Sequence, residues 1–228
     1  MFPIAHIHTD LRTKFGIPRQ SGLVKSLRGR IVFEPAYRNA EALRGLEGFS
    51  HIWLLWDFSE AHRQKWSPTV RPPRLGGNRR MGVWATRSPF RPNPIGLSSV
   101  RITAIHMSTP QGPVIEVEGA DLMDGTPIFD IKPYLPFTDC HPDATGGFAA
   151  EQMLTEEPLC VNLPPHLATC YTPEQTEALT AVLQSDPRPQ YQSDPHRIYV
   201  LPFAHTEVHF TVQGNQLEVV EVVEGTRP

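Results

Sequence analysis

Proline and glycine are what most constrain the fold of this chain, because its 24 prolines and 16 glycines leave no long helical periodicity in the first 140 residues. Between them lie short segments, several of which alternate apolar and polar residues, as a strand with one buried face does. The expected strands are Ile4–Thr9, Gly29–Phe33, Ile52–Phe58, Met81–Thr86, Ser98–His106, Val114–Glu118 and Thr126–Ile131. A short helix is expected at Asn39–Leu43, with Asn39 as its N-cap. This pattern predicts a mainly β domain, a sandwich or a barrel, rather than an open parallel sheet.

A second, smaller region follows a polar stretch at residues 139–157, and we place the domain boundary near residue 150, giving domains 1–150 and 151–228. Thr172-Pro173-Glu174-Gln175 has the form of a capping box that begins a helix, which ends before Asp186-Pro187. Strands are expected at Ile198–Leu201, Glu207–Val212 and Leu217–Val223, the last two joined by a Gly214-Asn215 turn. An α+β domain of about 60 residues, a helix on an antiparallel sheet, is marginal unless it docks on the first domain.

Composition excludes several classes of protein. With 39% hydrophobic and 20% charged residues, the chain has enough apolar side chains for a core. Its longest apolar run, Ile52–Trp56, is too short to span a membrane, and the N-terminus shows no secretory signal. The three cysteines are odd in number and widely spaced, which argues against a disulfide framework or a zinc site. We therefore expect a soluble, cytoplasmic protein.

Charge is distributed unevenly along the chain, although the formal net charge is only −3. Residues 1–100 carry 16 basic and 6 acidic side chains, whereas residues 101–228 carry 5 basic and 18 acidic ones. Such an asymmetry indicates either an anionic partner for the basic part or two solvated surfaces of opposite sign. Charge alone leaves both alternatives open.

The basic excess is densest in residues 71–97, which contain six arginines, five prolines, four glycines and no acidic residue. Arginine carries a donor fork suited to phosphates, and proline stiffens the backbone that presents it. Trp84 and Phe90 add stacking faces, a combination used by proteins that bind single-stranded RNA. The alternative is an arginine-rich surface loop, but six like charges without a local counter-ion repel one another. The segment lacks the spacing of a phosphate loop, and no Rossmann glycine pattern is present.

An acidic counterpart lies in the turn Asp121–Thr126, where two carboxylates stand three positions apart before Gly125. They are suited to a cationic or hydroxyl-rich ligand, although an Asx turn explains one of them equally well. The spacing is not that of a calcium loop even with Asp130 included, so no metal is expected. His51, at the start of an apolar strand, is more often structural than catalytic. From the residues alone, the prediction is a β-rich domain with an arginine–aromatic site for an anion, most plausibly RNA.

Five segments carry a further resemblance: KFGIPRQSGLVKS, LEGFSHIWLLWDF, MGVWATRSPFRPNPIGLS, DLMDGTPIFDIKPYLPF and DPRPQY, in this order. Together they resemble the TsaA-like family of bacterial tRNA methyltransferases, over nearly the whole chain. The resemblance implies a small β-barrel, a homodimer and S-adenosylmethionine (SAM) as cofactor. It also implies a reaction, the methylation of N6 of N6-threonylcarbamoyladenosine beside the anticodon of threonine tRNA.

The resemblance also implies which residues contact the cofactor and the RNA. The cofactor contacts would be Pro18, Arg19, Gln20, Ser59, Glu60, Arg87, Leu97, Asp121, Leu122, Met123, Asp124, Gly125 and Thr126. Leu97 and Leu122 suit an adenine ring, an arginine suits the cofactor's carboxylate, and Asp121 or Asp124 suits its cationic groups. The RNA contacts would be Arg71, Arg74, Arg79, Arg80 and Arg91 on phosphates, joined by Arg19, with Trp84 and Phe90 on bases and Arg188 in the second domain.

A methyl transfer mainly requires positioning, but loss of the N6 proton calls for a general base. Asp124 is the first choice because the following glycine lets a substrate approach, and Asp121, Asp130 and His51 are the alternatives. Two competing functions are a non-enzymatic RNA-binding module, which would bind no SAM, and a hydrolase or isomerase acting on a free nucleotide. The sequence contains no nucleophile or metal constellation that favours the latter.

Overall fold

A computed structural model describes residues 1–72, 79–153, 157–188 and 194–225, with side chains omitted for 151–153. Its strands are β1 (Ala5–Thr9), β2 (Arg28–Phe33), β3 (His51–Asp57), β4 (Thr69–Val70), β5 (Met81–Gly82), β6 (Ile95–His106), β7 (Val114–Glu118), β8 (Thr126–Pro133), β9 (Cys160–Asn162), β10 (Tyr199–Phe203), β11 (Thr206–Gln213) and β12 (Gln216–Glu224). The α-helices are α1 (Pro136–Asp139), α2 (Phe148–Met153) and α3 (Pro173–Gln184). Short 3₁₀ helices cover Pro35–Tyr37, Ala40–Leu43, Leu46–Gly48, Ser59–Ala61, Val83–Ala85 and Ala168–Cys170.

The N-terminal strands form a closed six-stranded antiparallel barrel in the order β1-β2-β7-β6-β3-β8. Closure leaves no unpaired edge in the sheet, so short strands suffice to build it. In β3, Ile52, Leu54 and Trp56 point into the core, while the residues between them are partly exposed. The mainly β prediction is therefore confirmed, and of its two alternatives the barrel is the correct one.

The strand expected at Met81–Thr86 is wrong beyond its second residue. Only β5 pairs as a strand, with β4, and the chain then turns into a 3₁₀ helix at Val83–Ala85. The Thr86 hydroxyl donates to the Val83 carbonyl at 2.9 Å and closes this turn locally. Side chain-to-backbone bonds of this kind compete with strand pairing, which a count of apolar residues does not reveal. The helix expected at Asn39–Leu43 is present as a 3₁₀ turn, and the Asn39 side chain caps it.

The C-terminal region contains a four-stranded sheet in the order β10-β11-β12-β9, covered by α3. The expected capping box is confirmed, because the Thr172 side chain accepts from the Gln175 N–H and the Gln175 side chain accepts from the Thr172 N–H. The hairpin turn at Gly214 is also confirmed. The purely antiparallel sheet is wrong in one detail, since β9 pairs with β12 in parallel.

Two hydrophobic cores occupy the molecule, and they do not divide cleanly at residue 150. One fills the barrel, whereas the other lies between α3 and the C-terminal sheet. The second core also contains Leu11, Val24 and Leu27 from the N-terminal half. The domain boundary near residue 150 therefore stays a prediction. In the described part of the chain, no helix has the length and apolar character needed to cross a membrane.

Candidate functional site

A cavity of about 570 Å³ lies where β3 ends and β6 begins. Its wall is completed by the segment before residue 21, by the loop after β5 and by the turn that leads into β8. A volume in this range suits a ligand of cofactor size, since small-molecule sites span about 300–1,000 Å³. The barrel thus holds its candidate site at strand ends and loops rather than in its packed interior.

Apolar and aromatic side chains form much of the wall. The Trp56 and Phe58 rings lie with their centroids 4.2 Å apart, and Leu97 is 50% exposed towards the cavity. Pro18 and Met123 also line it. An apolar, partly aromatic wall of this kind suits a planar ring such as a purine. Gly96 is required beside them, because a Cβ at this position would overlap the Trp56 ring.

Asp57, Glu60 and Asp121 also line the cavity, and the carboxylate of Asp121 is held by a chain of hydrogen bonds. The Trp56 indole N–H donates to Ser98 Oγ at 3.0 Å, and the Ser98 hydroxyl in turn donates to Asp121 Oδ1 at 2.6 Å. Burial raises the pKa of Asp121, although the Ser98 hydrogen bond and the nearby Arg87 charge act in the opposite direction. A carboxylate held in this way is an oriented partner for a cationic group of a ligand.

Basic side chains surround the cavity: Lys14, Arg19, Arg87 and Arg91 all line it. Arg87 donates across the cavity to the Gln20 side-chain oxygen, and Lys14 pairs with Glu60 at 3.0 Å. The wall therefore offers several guanidinium groups for a carboxylate or a phosphate, close to one buried acid.

Most of the sequence-predicted cofactor residues come together in this cavity. Those that line it are Pro18, Arg19, Gln20, Ser59, Glu60, Arg87, Leu97, Asp121, Met123 and Thr126. Leu122, Asp124 and Gly125 do not. Leu122 is fully buried in the barrel core, and Gly125 takes a left-handed φ of 74° that the turn requires. The Asp124 carboxylate accepts the Thr9 N–H at 3.1 Å and lies 3.2 Å from His8 Nδ1, which fastens the turn to β1.

The four candidates for a general base are thereby separated in space. Asp121 lines the cavity, whereas Asp124 faces β1. Asp130 forms an ion pair with Lys132 at 2.9 Å, and His51 lies at the opposite end of β3 from the cavity, with its Nδ1 2.9 Å from the Ser50 hydroxyl. The first choice from the sequence is thus not the one that the geometry favours.

Next to the cavity lies an arginine–aromatic surface, which we define as Arg63, Trp66, Trp84, Phe90 and Arg91. The two tryptophans are 51% and 66% exposed, and their ring centroids are 5.7 Å apart. The guanidinium of Arg63 lies 3.6 Å above the Phe90 ring, and that of Arg91 lies 5.6 Å from the Trp84 ring. Large exposed rings flanked by arginines suit stacking on unpaired bases.

The remaining arginines predicted to contact RNA differ in how accessible their guanidinium groups are. Arg71 and Arg79 are exposed, and Arg80 donates to Thr69 Oγ1 at 2.8 Å. Arg74 lies outside the described residues. Arg188 forms a two-pronged ion pair with Asp186, at 2.8 and 2.9 Å, and its side chain is only 13% exposed. This pairing leaves little of the Arg188 guanidinium available to a phosphate.

Sequence reasoning missed several cavity residues, above all Trp56, Asp57 and Phe58. They end the apolar run of β3, which was interpreted only as a buried strand. No group of three or more His, Cys, Asp or Glu residues within the described ranges is placed to hold a metal ion.

Fold and site together define a class of protein: a closed β-barrel with a loop-walled cavity for a ligand that has both a flat ring and charged groups. Residues 6–140 match the sequence profile of the tRNA-methyltransferase O N-terminal domain, and residues 157–225 match that of the TrmO C-terminal domain. The chain therefore belongs to the TrmO family.

Individual relatives agree with this assignment. The chain is 44% identical over 193 residues to a tRNA (adenine(37)-N6)-methyltransferase of Escherichia coli K12, covering 83% of this chain and 82% of the relative. It is 38% identical over 224 residues to a putative S-adenosylmethionine-dependent methyltransferase, RcsF, of Pseudomonas aeruginosa, covering 91% and 90%. A crystal structure of TrmO from P. aeruginosa superposes with a TM-score of 0.76 at 33% identity, covering 98% of this chain and 96% of that one.

Proposed function

We propose that this protein is a SAM-dependent tRNA methyltransferase that methylates N6 of adenosine 37. We take the reaction from its relatives, which are named as a tRNA (adenine(37)-N6)-methyltransferase and as a putative S-adenosylmethionine-dependent methyltransferase. The observation that carries the proposal is the cavity itself, in which a flat apolar wall, a buried carboxylate and an arginine rim stand within one space. These are the three kinds of group that a molecule with an adenine, an amino-acid cation and a carboxylate requires.

The residues present fit this cofactor by their chemistry. Trp56, Phe58 and Leu97 offer apolar surface for the adenine. Asp121 offers a desolvated acceptor for the amino or sulfonium group, and Arg87 or Arg19 offers donors for the carboxylate. SAM, when bound, supplies a methyl group activated by its sulfonium. Pro18, Arg19 and Gln20 would close the cavity on the side opposite the barrel strands.

The protein's own contribution to the reaction is positioning and proton handling. Nitrogen and methyl carbon have to be held in line, and a well-aligned pair accounts for a large part of such a rate enhancement. The N6–H of the acceptor must lose its proton as the new N–C bond forms and the S–C bond breaks. Of the four base candidates, Asp121 alone lines the cavity, and we assign its carboxylate to the contact with the cationic groups of SAM. The proton that N6 loses then passes to solvent water at the mouth of the cavity.

We further propose that the acceptor is N6-threonylcarbamoyladenosine in threonine tRNA, as the family resemblance implies. The basic groups around the cavity support this choice, because the threonyl carboxylate adds a negative charge beside the reacting nitrogen. The homodimer that the resemblance implies and the cytoplasmic location expected from the composition remain predictions.

The arginine–aromatic surface is the region that we propose for the anticodon loop. Trp66 and Trp84 would stack on unpaired bases, and Arg71, Arg79 and Arg80 would contact phosphates. Arg188 is left out of this proposal because Asp186 already binds it.

Calorimetry with SAM tests the proposal directly. Leu97→Lys places a cation in the cavity wall and should reduce SAM affinity by more than about tenfold, since a charge is desolvated against the cofactor's own cation. Met107→Lys is the matched control, because Met107 is 41% exposed but does not line the cavity. It should bind SAM like the wild type. A wild-type protein that binds no SAM at millimolar concentration would instead support the RNA-binding module without a cofactor.

A further inference from the structure

None of the C-terminal residues that the structure describes lines the cavity, yet one segment of the cavity wall packs on the C-terminal core. The relevant segment is the connection between β1 and β2, residues 11–27, which we call the wall segment. Pro18, Arg19 and Gln20 lie at its centre. Its packing partners belong mostly to the C-terminal core rather than to the barrel.

The first half of the wall segment lies on the C-terminal sheet. Leu11 is fully buried and forms a bridge with Phe203 at the end of β10. The Phe15 ring stacks on Phe210 of β11, with centroids 6.5 Å apart and planes 18° from parallel. Gly16 packs so closely on Leu201 of β10 that a Cβ would overlap the leucine side chain. Residues 11–16 therefore contact two strands of the C-terminal sheet, β10 and β11.

Asp10, which directly precedes the wall segment, is tied to the same domain by hydrogen bonds. The Ala204 N–H donates to the Asp10 carbonyl at 2.8 Å, and the Gln175 side chain of α3 donates to the Asp10 carboxylate at 3.1 Å. Burial raises the pKa of this Asp10 carboxyl, which is the environment of an interface rather than of open solvent.

The second half of the wall segment returns to the barrel backbone. The Ser99 N–H donates to Ser21 Oγ at 3.1 Å, and the Gly22 N–H donates to the Gly119 carbonyl at 2.9 Å. Before Ser21, the Asp124 N–H donates to the Leu11 carbonyl at 2.7 Å, and Arg87 donates to the Gln20 side chain. The Lys14–Glu60 ion pair is exposed and thus contributes little. Pro18–Gln20 therefore lies between residues that pack on the C-terminal sheet and residues that are hydrogen-bonded to the barrel.

From these contacts we infer that the C-terminal domain positions the Pro18–Gln20 wall of the cofactor cavity, with Leu201 and Phe210 as positioning residues. The inference rests on the proposed function, since it assigns SAM to this cavity. It gives the C-terminal domain a role in cofactor binding that is separate from any contact with tRNA. Loosening the β10 support should raise the KM for SAM while leaving kcat at saturating SAM close to that of the wild type, because the reacting groups are untouched.

Two matched Leu→Ala variants of the full-length chain, each of which removes a buried side chain from the C-terminal core, test this role. Leu201→Ala removes the side chain beneath Gly16, whereas Leu217→Ala removes an equally buried leucine of the same core on β12, two strands from β10. Both should lower the melting temperature. Only Leu201→Ala should also weaken SAM binding, by about tenfold in calorimetry, through displacement of the wall. Both variants should bind tRNA like the wild type.

A second variant keeps the test valid if Leu201→Ala does not fold. Gly16→Ala pushes a methyl group against Leu201 and should weaken SAM binding. The double variant Gly16→Ala with Leu201→Ala should lose less SAM affinity than the sum of the losses in the two single variants. Wild-type SAM affinity in Gly16→Ala or in Leu201→Ala, or an equal loss in Leu217→Ala, would overturn the inference. Absence of SAM binding by the wild type would be seen without any variant and would remove the proposed function together with this role.

Discussion

At the residue scale, Asp121 and Asp124 show how two carboxylates of one turn take different roles. Asp124 binds the Thr9 N–H and holds the turn on β1, whereas Asp121 faces the cavity and is bound by Ser98. The sequence predicted that this turn carries acidic function. It ranked Asp124 first on the neighbouring glycine alone, whereas the position of each carboxylate depends on which groups its side chain meets after folding. The same limit applies to His51, whose distance from the cavity follows from the register of β3.

Asp121→Asn should lower the affinity for SAM without lowering the stability of the fold at pH 7. Burial raises the pKa of Asp121, so its contribution to stability is present at low pH and is lost as pH rises through the raised value. The melting temperature of the variant at pH 7 should therefore equal or exceed that of the wild type, with the difference fading towards about pH 4. SAM affinity should fall by about tenfold or more, because a charged acceptor is replaced by a neutral one.

The pH dependence provides the control for Asp121. In the wild type, SAM affinity should decline as pH is lowered through the raised pKa of Asp121, whereas Asp121→Asn should show no such decline. Asp143→Asn, on an exposed position, should match the wild type throughout. Calorimetry at a series of pH values checks this, and an unchanged SAM affinity in Asp121→Asn would exclude the carboxylate as the cationic contact.

At the element scale, structures closed by local contacts were predictable and those that depend on distant partners were not. The capping box at Thr172 and the hairpin at Gly214 lie within a few residues of sequence, and both are present. The parallel pairing of β9 with β12 joins residues more than 50 positions apart, and no local pattern indicates it. The loop after β5 is an exception, since its 3₁₀ turn is closed locally by the Thr86 hydroxyl and yet a strand was predicted there.

The loop after β5 and the neighbouring Trp66 carry a prediction about RNA. Trp84→Ala should weaken tRNA binding by about fivefold or more, since a stacked base is worth about 1–3 kcal/mol. The salt dependence of binding should not change in this variant. Arg79→Ala should instead reduce the slope of log affinity against log salt by about one.

Fluorescence anisotropy with labelled tRNA at several salt concentrations distinguishes these two effects. Phe137→Ala is the control, because Phe137 is 86% exposed and lies outside the arginine–aromatic surface. Its affinity and salt slope should match the wild type. If Trp84→Ala also bound tRNA as tightly as the wild type, base stacking at this surface would be ruled out.

At the scale of the whole molecule, the basic and acidic halves of the chain are folded into one functional unit. A net charge of −3 alone points away from nucleic acid, yet the arginines gather beside the cavity. The barrel was predictable as a mainly β domain from its Pro/Gly-interrupted strands. The docking of residues 11–27 on the C-terminal core was not, because it depends on contacts such as Phe15–Phe210, nearly 200 positions apart.

Nucleoside mass spectrometry of tRNA incubated with the protein and SAM tests the central claim most directly. The account predicts a mass increase of about 14 daltons, one methylene, on the threonylcarbamoyl nucleoside of threonine tRNA, and no increase without SAM. A 14-dalton shift on unmodified adenosine 37 would contradict the proposed acceptor but keep the methyltransferase. No shift on any nucleoside, from a protein that binds both tRNA and SAM, would contradict the account as a whole.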